Sequence, residues 1–112
     1  MVAGDRQRLP DTYMDKRASK AQFVALREAV SQALRDADPL RLIRRGAPLD
    51  EYDPEVGTVL PRLRGATSCG DVRTILYEEF LHWFGEDVAG RIEYYDQAAE
   101  NIWAILRINK DV

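Results

Sequence analysis

Glu79 and His82 stand three residues apart, the Glu-x-x-His spacing that sets two metal-binding groups on adjacent turns of one helix. Bundles that hold paired metal ions this way repeat the motif and add two further glutamates, and this chain has a single histidine. On a helical wheel Glu79 falls inside an apolar arc between Ile75 and Trp83. That position predicts a partly buried carboxylate satisfied by an arginine or a tyrosine hydroxyl rather than a metal ligand. The rival reading of the same pair is a small-molecule or metal-binding bundle with a cavity between its helices.

The acidic run Leu49-Asp50-Glu51-Tyr52-Asp53-Pro54-Glu55 could gather carboxylates around a cation, but it lacks the alternating ligands, turn glycine and terminal glutamate of an EF-hand. Its expected role is a helix start, with Asp53 as the cap and the first-turn acids favoured by the helix dipole. Cys69 and His82 do not pair as nucleophile and base, because thirteen residues along one helix separate them by roughly 20 Å at 1.5 Å per residue. The chain also lacks a glycine-rich phosphate loop and a Gly-x-Ser-x-Gly turn. The expectation is therefore a protein with no catalytic residue, no metal and no cofactor.

On the last helix Glu93, Asp96 and Glu100 follow at steps of three and four, with Trp103 between that stripe and the core. Such a stripe is ordinarily a wet face, but carboxylates clustered beside an aromatic also attract and anchor a basic partner protein. These four residues are the candidate partner-binding surface. Arg41, Arg44 and Arg45, with Arg62 and Arg64, form a basic counterweight. Pairing within the chain, to Asp50, Glu51, Asp53 or Glu79, is the expected use of these arginines, and an anion or partner contact is the second.

These residues must be positioned by a domain that packing alone holds together. The 112 residues suit one domain, and 46% hydrophobic with 31% charged residues is a globular rather than a disordered mixture. A lone cysteine allows no internal disulfide, and with one histidine it cannot complete a structural zinc site. Residues from Thr67 onward sum to −5 and those before it to +2, which disfavours nucleic acid as a partner of the C-terminal half. No apolar run approaches the roughly 18 residues of a membrane span, and the first residues lack the apolar stretch of a secretory signal. A cytoplasmic protein without membrane contact is expected.

From Ser19, a good N-cap, Phe23, Leu26, Val30, Ala33, Leu34 and Ala37 line one face of a first helix. Asp38-Pro39 then starts a short turn over residues 40–45, stopped by Gly46, and Asp53-Pro54 starts a helix whose apolar face is Val56, Val59, Leu60 and Leu63. Pro61 inside it predicts a kink or break. Thr67 or Ser68 with Asp71 resembles a capping box ahead of Val72, Ile75, Leu76, Phe80 and Trp83, widened by Tyr77, Leu81 and Phe84. Gly85 closes that helix, and a last one from about Asp87 to Ile108 turns Val88, Ile92, Tyr95, Ala99, Ile102 and Leu106 inward.

The run Asp38-Pro39-Leu40, followed by Gly46-Ala47-Pro48-Leu49-Asp50-Glu51-Tyr52-Asp53-Pro54-Glu55, resembles a small bacterial family of unknown function. That family is best known from Bacillus-type proteins and is built around a Trp-Asp-Pro and an Asp-Glu-Tyr element. The likeness covers residues 37–63, with Ala37 where the family usually has tryptophan, and residues 75–85 agree in pattern. It implies a compact helical bundle without known cofactors and transfers no catalytic residue. Similar stand-alone helical proteins also occur as immunity partners of bacterial toxins.

The resulting expectation is all-α: a flexible N-terminal arm over residues 1–18, then a single helical bundle domain over 19–112 with about four main helices and a short extra helical turn. Its expected function is that of a non-enzymatic protein-interaction module. An immunity-like inhibitor is one form of it, holding a basic partner such as a toxin on Glu93, Asp96, Glu100 and Trp103. The alternatives are the small-molecule or metal-binding bundle and a homodimer joined through Tyr77, Leu81 and Phe84.

Overall fold

A computed structural model describes residues 2–110, with side chains described over 20–108. Four helices follow in order: α1 (Val2–Ala37), α2 (Asp53–Leu63), α3 (Cys69–Ala89) and, after a 3-10 turn (Ile92–Tyr95), α4 (Asp96–Lys110). No strand occurs among the described residues. α1 packs on α2 and α4, and α3 packs on α2, the 3-10 turn and α4, so one core is shared by all four. Among the described residues no helix is long and apolar enough to cross a membrane.

α1 is helical from Val2, so it does not begin at Ser19. The side chains of residues 1–19, and with them the docked contact expected from Leu9, Tyr13 or Met14, lie outside the described residues. The apolar stripe of α1 buries Val30, Ala33 and Leu34, whereas Phe23 at its start is 44% exposed. The stripe enters the core only where α2 and α4 reach it.

Ser68 caps α3: its Oγ accepts from the Asp71 amide at 3.0 Å, and Asp71 Oδ2 accepts from the Thr67 amide and hydroxyl at 2.9 Å each. Those two Thr67 bonds hold the Asp71 carboxyl below the usual carboxylate range. Val72, Ile75, Leu76 and Phe80 of α3 then meet Val56, Val59, Leu60 and Leu63 of α2 and Ala98, Ala99, Ile102 and Leu106 of α4 in one cluster. Tyr77, Leu81 and Phe84 are half-buried and packed against the same cluster. Trp83, expected inside, is 45% exposed and donates its indole N–H to Thr58 Oγ1 at 3.0 Å.

α2 runs unbroken through Pro61 to Leu63 rather than breaking at the proline. Gly57, whose carbonyl the proline cannot bond, lies on the exposed side, and the helix ends within a turn, so little hydrogen bonding is lost. Tyr52, not Asp53, occupies the N-cap position, and no side chain caps this helix. Asp53 is instead the first helical residue, 3.9 Å from Arg35 Nη1.

The last helix expected from Asp87 is three pieces. Gly85 (φ 80°, ψ 170°) interrupts α3, the helical turn after it ends at Gly90 (φ 72°), and the 3-10 turn intervenes before α4. Val88, expected on the inner stripe, is 50% exposed as a result. Tyr95, Ala99, Ile102 and Leu106 still face inward, because the 3-10 turn feeds directly into α4, whereas Ile92 at the start of that turn is only partly buried and stands outside the core cluster.

Glu55 on α2 is 4% exposed and its Oε2 has no hydrogen-bond partner. Burial pushes its carboxyl up, the nearby Glu51 and Asp53 charges add to the rise, and only its own amide opposes them. A raised folded-state pKa means that acid relieves this group, and that its full cost falls above the folded pKa. Glu55→Met is expected to raise unfolding free energy at neutral pH by about 1 kcal/mol, net of the lost helix-dipole interaction. Urea titration checks this, and the gain should shrink as pH falls toward about 4.

Candidate functional site

Two turns at one end of the bundle carry most of the irregular backbone. Asp38 has φ 47° and Arg41 φ 59°, left-handed values for residues other than glycine, and Gly46 has φ 101°. Asp38 sits 4% exposed and caps the turn that follows it. Its Oδ1 accepts from the Ile43 amide at 3.1 Å and the Tyr52 hydroxyl at 2.5 Å, and its Oδ2 accepts from the Arg44 amide at 3.0 Å. The Tyr52 hydroxyl in turn accepts from the Leu40 amide at 3.2 Å. Burial by itself raises the Asp38 carboxyl, but the Tyr52 hydroxyl and the Arg44 and Ile43 amides outweigh it and hold the group below its ordinary value. Burial and the Asp38 bond push the Tyr52 hydroxyl well above its ordinary value.

The Asp-Pro and Asp-Glu-Tyr elements therefore meet in space, fourteen residues apart in sequence, as one buried carboxylate–phenol pair. Their chemistry is structural: every oxygen of the pair is spent on holding the 38–52 connector over the end of the bundle.

A second buried tyrosine does the same for the facing turn. Tyr95 donates its hydroxyl to the Ala89 carbonyl at 2.7 Å, closing the loop through Gly90 and Tyr94. Phe80 lies between the two phenols, its ring centroid 5.9 Å from that of Tyr52 and 5.2 Å from that of Tyr95. The two turns wall a groove of about 610 Å³ lined by Arg41, Arg44, Arg45, Asp87, Val88 and Tyr94 among others. Neither Tyr52 nor Tyr94 stood out in the sequence as a site residue. In the fold, Gly90 is what makes room for Tyr94: a Cβ added there would lie 2.5 Å from its ring.

The sequence-derived partner surface lies elsewhere. Glu93 is on the 3-10 turn and exposed, Asp96 and Glu100 are exposed on α4, and Trp103 is half-buried against the core. Asp96 is engaged by Arg73 Nη1 at 3.1 Å, while Glu93 and Glu100 have no cation within 4 Å among the described residues. Positions 96, 100 and 103 share one face of α4 by helical spacing.

Glu79 is paired with Arg62, Nη1 to Oε2 at 3.0 Å, and the same guanidinium holds Glu78 at 2.6 Å. An arginine thus satisfies the Glu79 carboxylate, and His82 beside it is exposed. Among the described residues no three His, Cys, Asp or Glu side chains converge to hold a metal ion. Cys69 is half-buried at the start of α3, and burial, with Glu100 nearby, pushes its thiol up rather than toward the reactive thiolate. Compared with known proteins, the chain matches no family model, no curated protein and no solved structure.

Proposed function

We propose that this protein is a non-enzymatic interaction module whose α4 face holds a basic partner protein, with Glu93, Asp96 and Glu100 supplying the field and Trp103 the apolar anchor. The observation that carries the reading is the exposure of Glu93 and Glu100 without a compensating cation among the described residues, beside an aromatic that is only half-buried. Uncompensated carboxylates of one sign speed encounter with a basic surface, and an aromatic rim residue supplies contact area once docked. Asp96 is held by Arg73 in the free protein; both side chains are substantially exposed, so exchanging this pair for a partner's lysine or arginine costs little. An immunity-like inhibitor of a basic toxin is one form such a module takes, since stand-alone helical proteins of this size also serve as immunity partners.

The test is capture from the native host by the intact protein and by a triple variant, Glu93→Lys, Asp96→Lys and Glu100→Lys. All three positions are solvent-facing, and the lost Arg73–Asp96 pair and first-turn acids cost a small part of the stability. The variant is therefore expected to keep the parent's fold with a lower melting temperature, which circular dichroism checks before capture. Partner affinity should fall by at least about tenfold in the variant and weaken with added salt in the parent. Equal capture by the two proteins, or capture indifferent to salt, removes this surface from consideration.

A further inference from the structure

The groove between the 38–45 turn and residues 87–94 has a chemistry separate from the acidic face. We infer that it binds a small phosphate monoester with an apolar body, the phosphoryl group on Arg41, Arg44 and Arg45 and the apolar part on Val88 and Tyr94. The sequence favours pairing within the chain for all five of the mid-chain arginines, and the structure pairs Arg62 as expected, with Glu78 and Glu79, while Asp53 is taken by Arg35 and Asp96 by Arg73. Among the described residues Arg41 and Arg45 have no ion pair, and Arg44 has only Asp38 at 3.9 Å. Three guanidinium groups on one turn provide the planar donor forks that suit a phosphoryl group.

Backbone strain points the same way. A left-handed φ of 59° at Arg41 is a position that glycine or asparagine fills more cheaply, so the local fold gives no reason for a long cationic side chain there. Opposite, Tyr94 is 53% exposed and Val88 50% exposed, an apolar pair left uncovered at the edge of a charged groove. Gly90 admits the Tyr94 ring by lacking a Cβ, and its own φ of 72° strains any replacement. Both walls are pinned by buried phenols to the Phe80 ring, so the backbone of the two turns is set before binding and the ordering left is that of the exposed arginine side chains. The volume of about 610 Å³ suits a small organic ligand. A dianionic phosphate gains more from three arginines than a carboxylate does; Asp87 and Asp38 in the same lining oppose either, Asp38 less because three hydrogen bonds and the Arg44 guanidinium already compensate it.

The experiment is an NMR titration of the full chain with phenyl phosphate, inorganic phosphate and benzoate. Phenyl phosphate should bind saturably at millimolar concentration with shifted amides confined to residues 37–45 and 87–94, and both other probes should bind more weakly. Arg45→Gln, at an exposed position, should weaken it by about tenfold. Arg41→Gly should weaken it while leaving the melting temperature equal or higher, and Asp87→Asn should tighten it. Shifts that never saturate, that spread equally to Arg64 and Arg107, or that persist unchanged in Arg45→Gln overturn the site; benzoate binding as tightly as phenyl phosphate overturns the phosphate assignment.

Discussion

Phe80→Ala should lower the free energy of unfolding by about 4 kcal/mol, the largest single loss expected in this chain. Phe80 is fully buried, and besides Tyr52 and Tyr95 it meets Phe84 at a centroid distance of 5.8 Å. Truncation removes its transfer free energy and leaves a cavity whose walls, set by two hydrogen-bonded phenols, are poorly able to collapse. Domains of this size have roughly 5 to 15 kcal/mol in total, so the variant should sit near its unfolding threshold at 37 °C. Urea denaturation followed by far-UV circular dichroism measures the loss. A change under about 1 kcal/mol would show that Phe80 is not the centre of the core.

Asp38→Ala is expected to cost about 3 kcal/mol, because it strands the Ile43 and Arg44 amides and the Tyr52 hydroxyl inside the protein. Alanine also tolerates the left-handed backbone at position 38 less well than aspartate does. Asp38→Asn keeps the shape and removes the charge, so a smaller loss of about 1 to 2 kcal/mol is expected. The pH dependence has a definite sign. The Asp38 carboxyl lies below its ordinary value in the folded protein, so its contribution is complete above the unfolded pKa of about 4 and disappears as pH falls through the folded value. Asp71 is lowered as well and weakens in the same acid window, so Asp38→Asn should reduce the acid sensitivity without abolishing it. Tyr52→Phe isolates the phenol: a double-mutant cycle with Asp38→Asn should show coupling, and strictly additive losses would contradict a shared network.

The aliphatic stripes of α2, α3 and α4 were legible because helical periodicity and burial report the same physics: Val56, Val59 and Leu60, then Val72, Ile75 and Leu76, recur at steps that only a helix turns to one side. The Ser68 cap and the Gly85 interruption were equally local and equally readable. The Asp38–Tyr52 pair was not, since a side-chain bond across a connector leaves no periodic trace and Tyr52 reads as part of an extended, acidic loop. Val88 misled for a related reason: Val88, Ile92 and Tyr95 keep helical spacing across a break that Gly90 makes, and spacing alone does not see the break. The arginine-lined groove depends on where two turns meet, so the sequence supplied its residues and not their proximity. Glu93 and Glu100, by contrast, were expected in water and are exposed.

That outward face is what the functional reading depends on, and carboxyl footprinting of the free protein and of its complex with the captured basic partner measures it directly. Glu93 and Glu100 should lose reactivity in the complex, with Glu28 and Glu86, exposed on other elements, unchanged. Protection of Glu28 or Glu86 with Glu93 and Glu100 still fully reactive would contradict it.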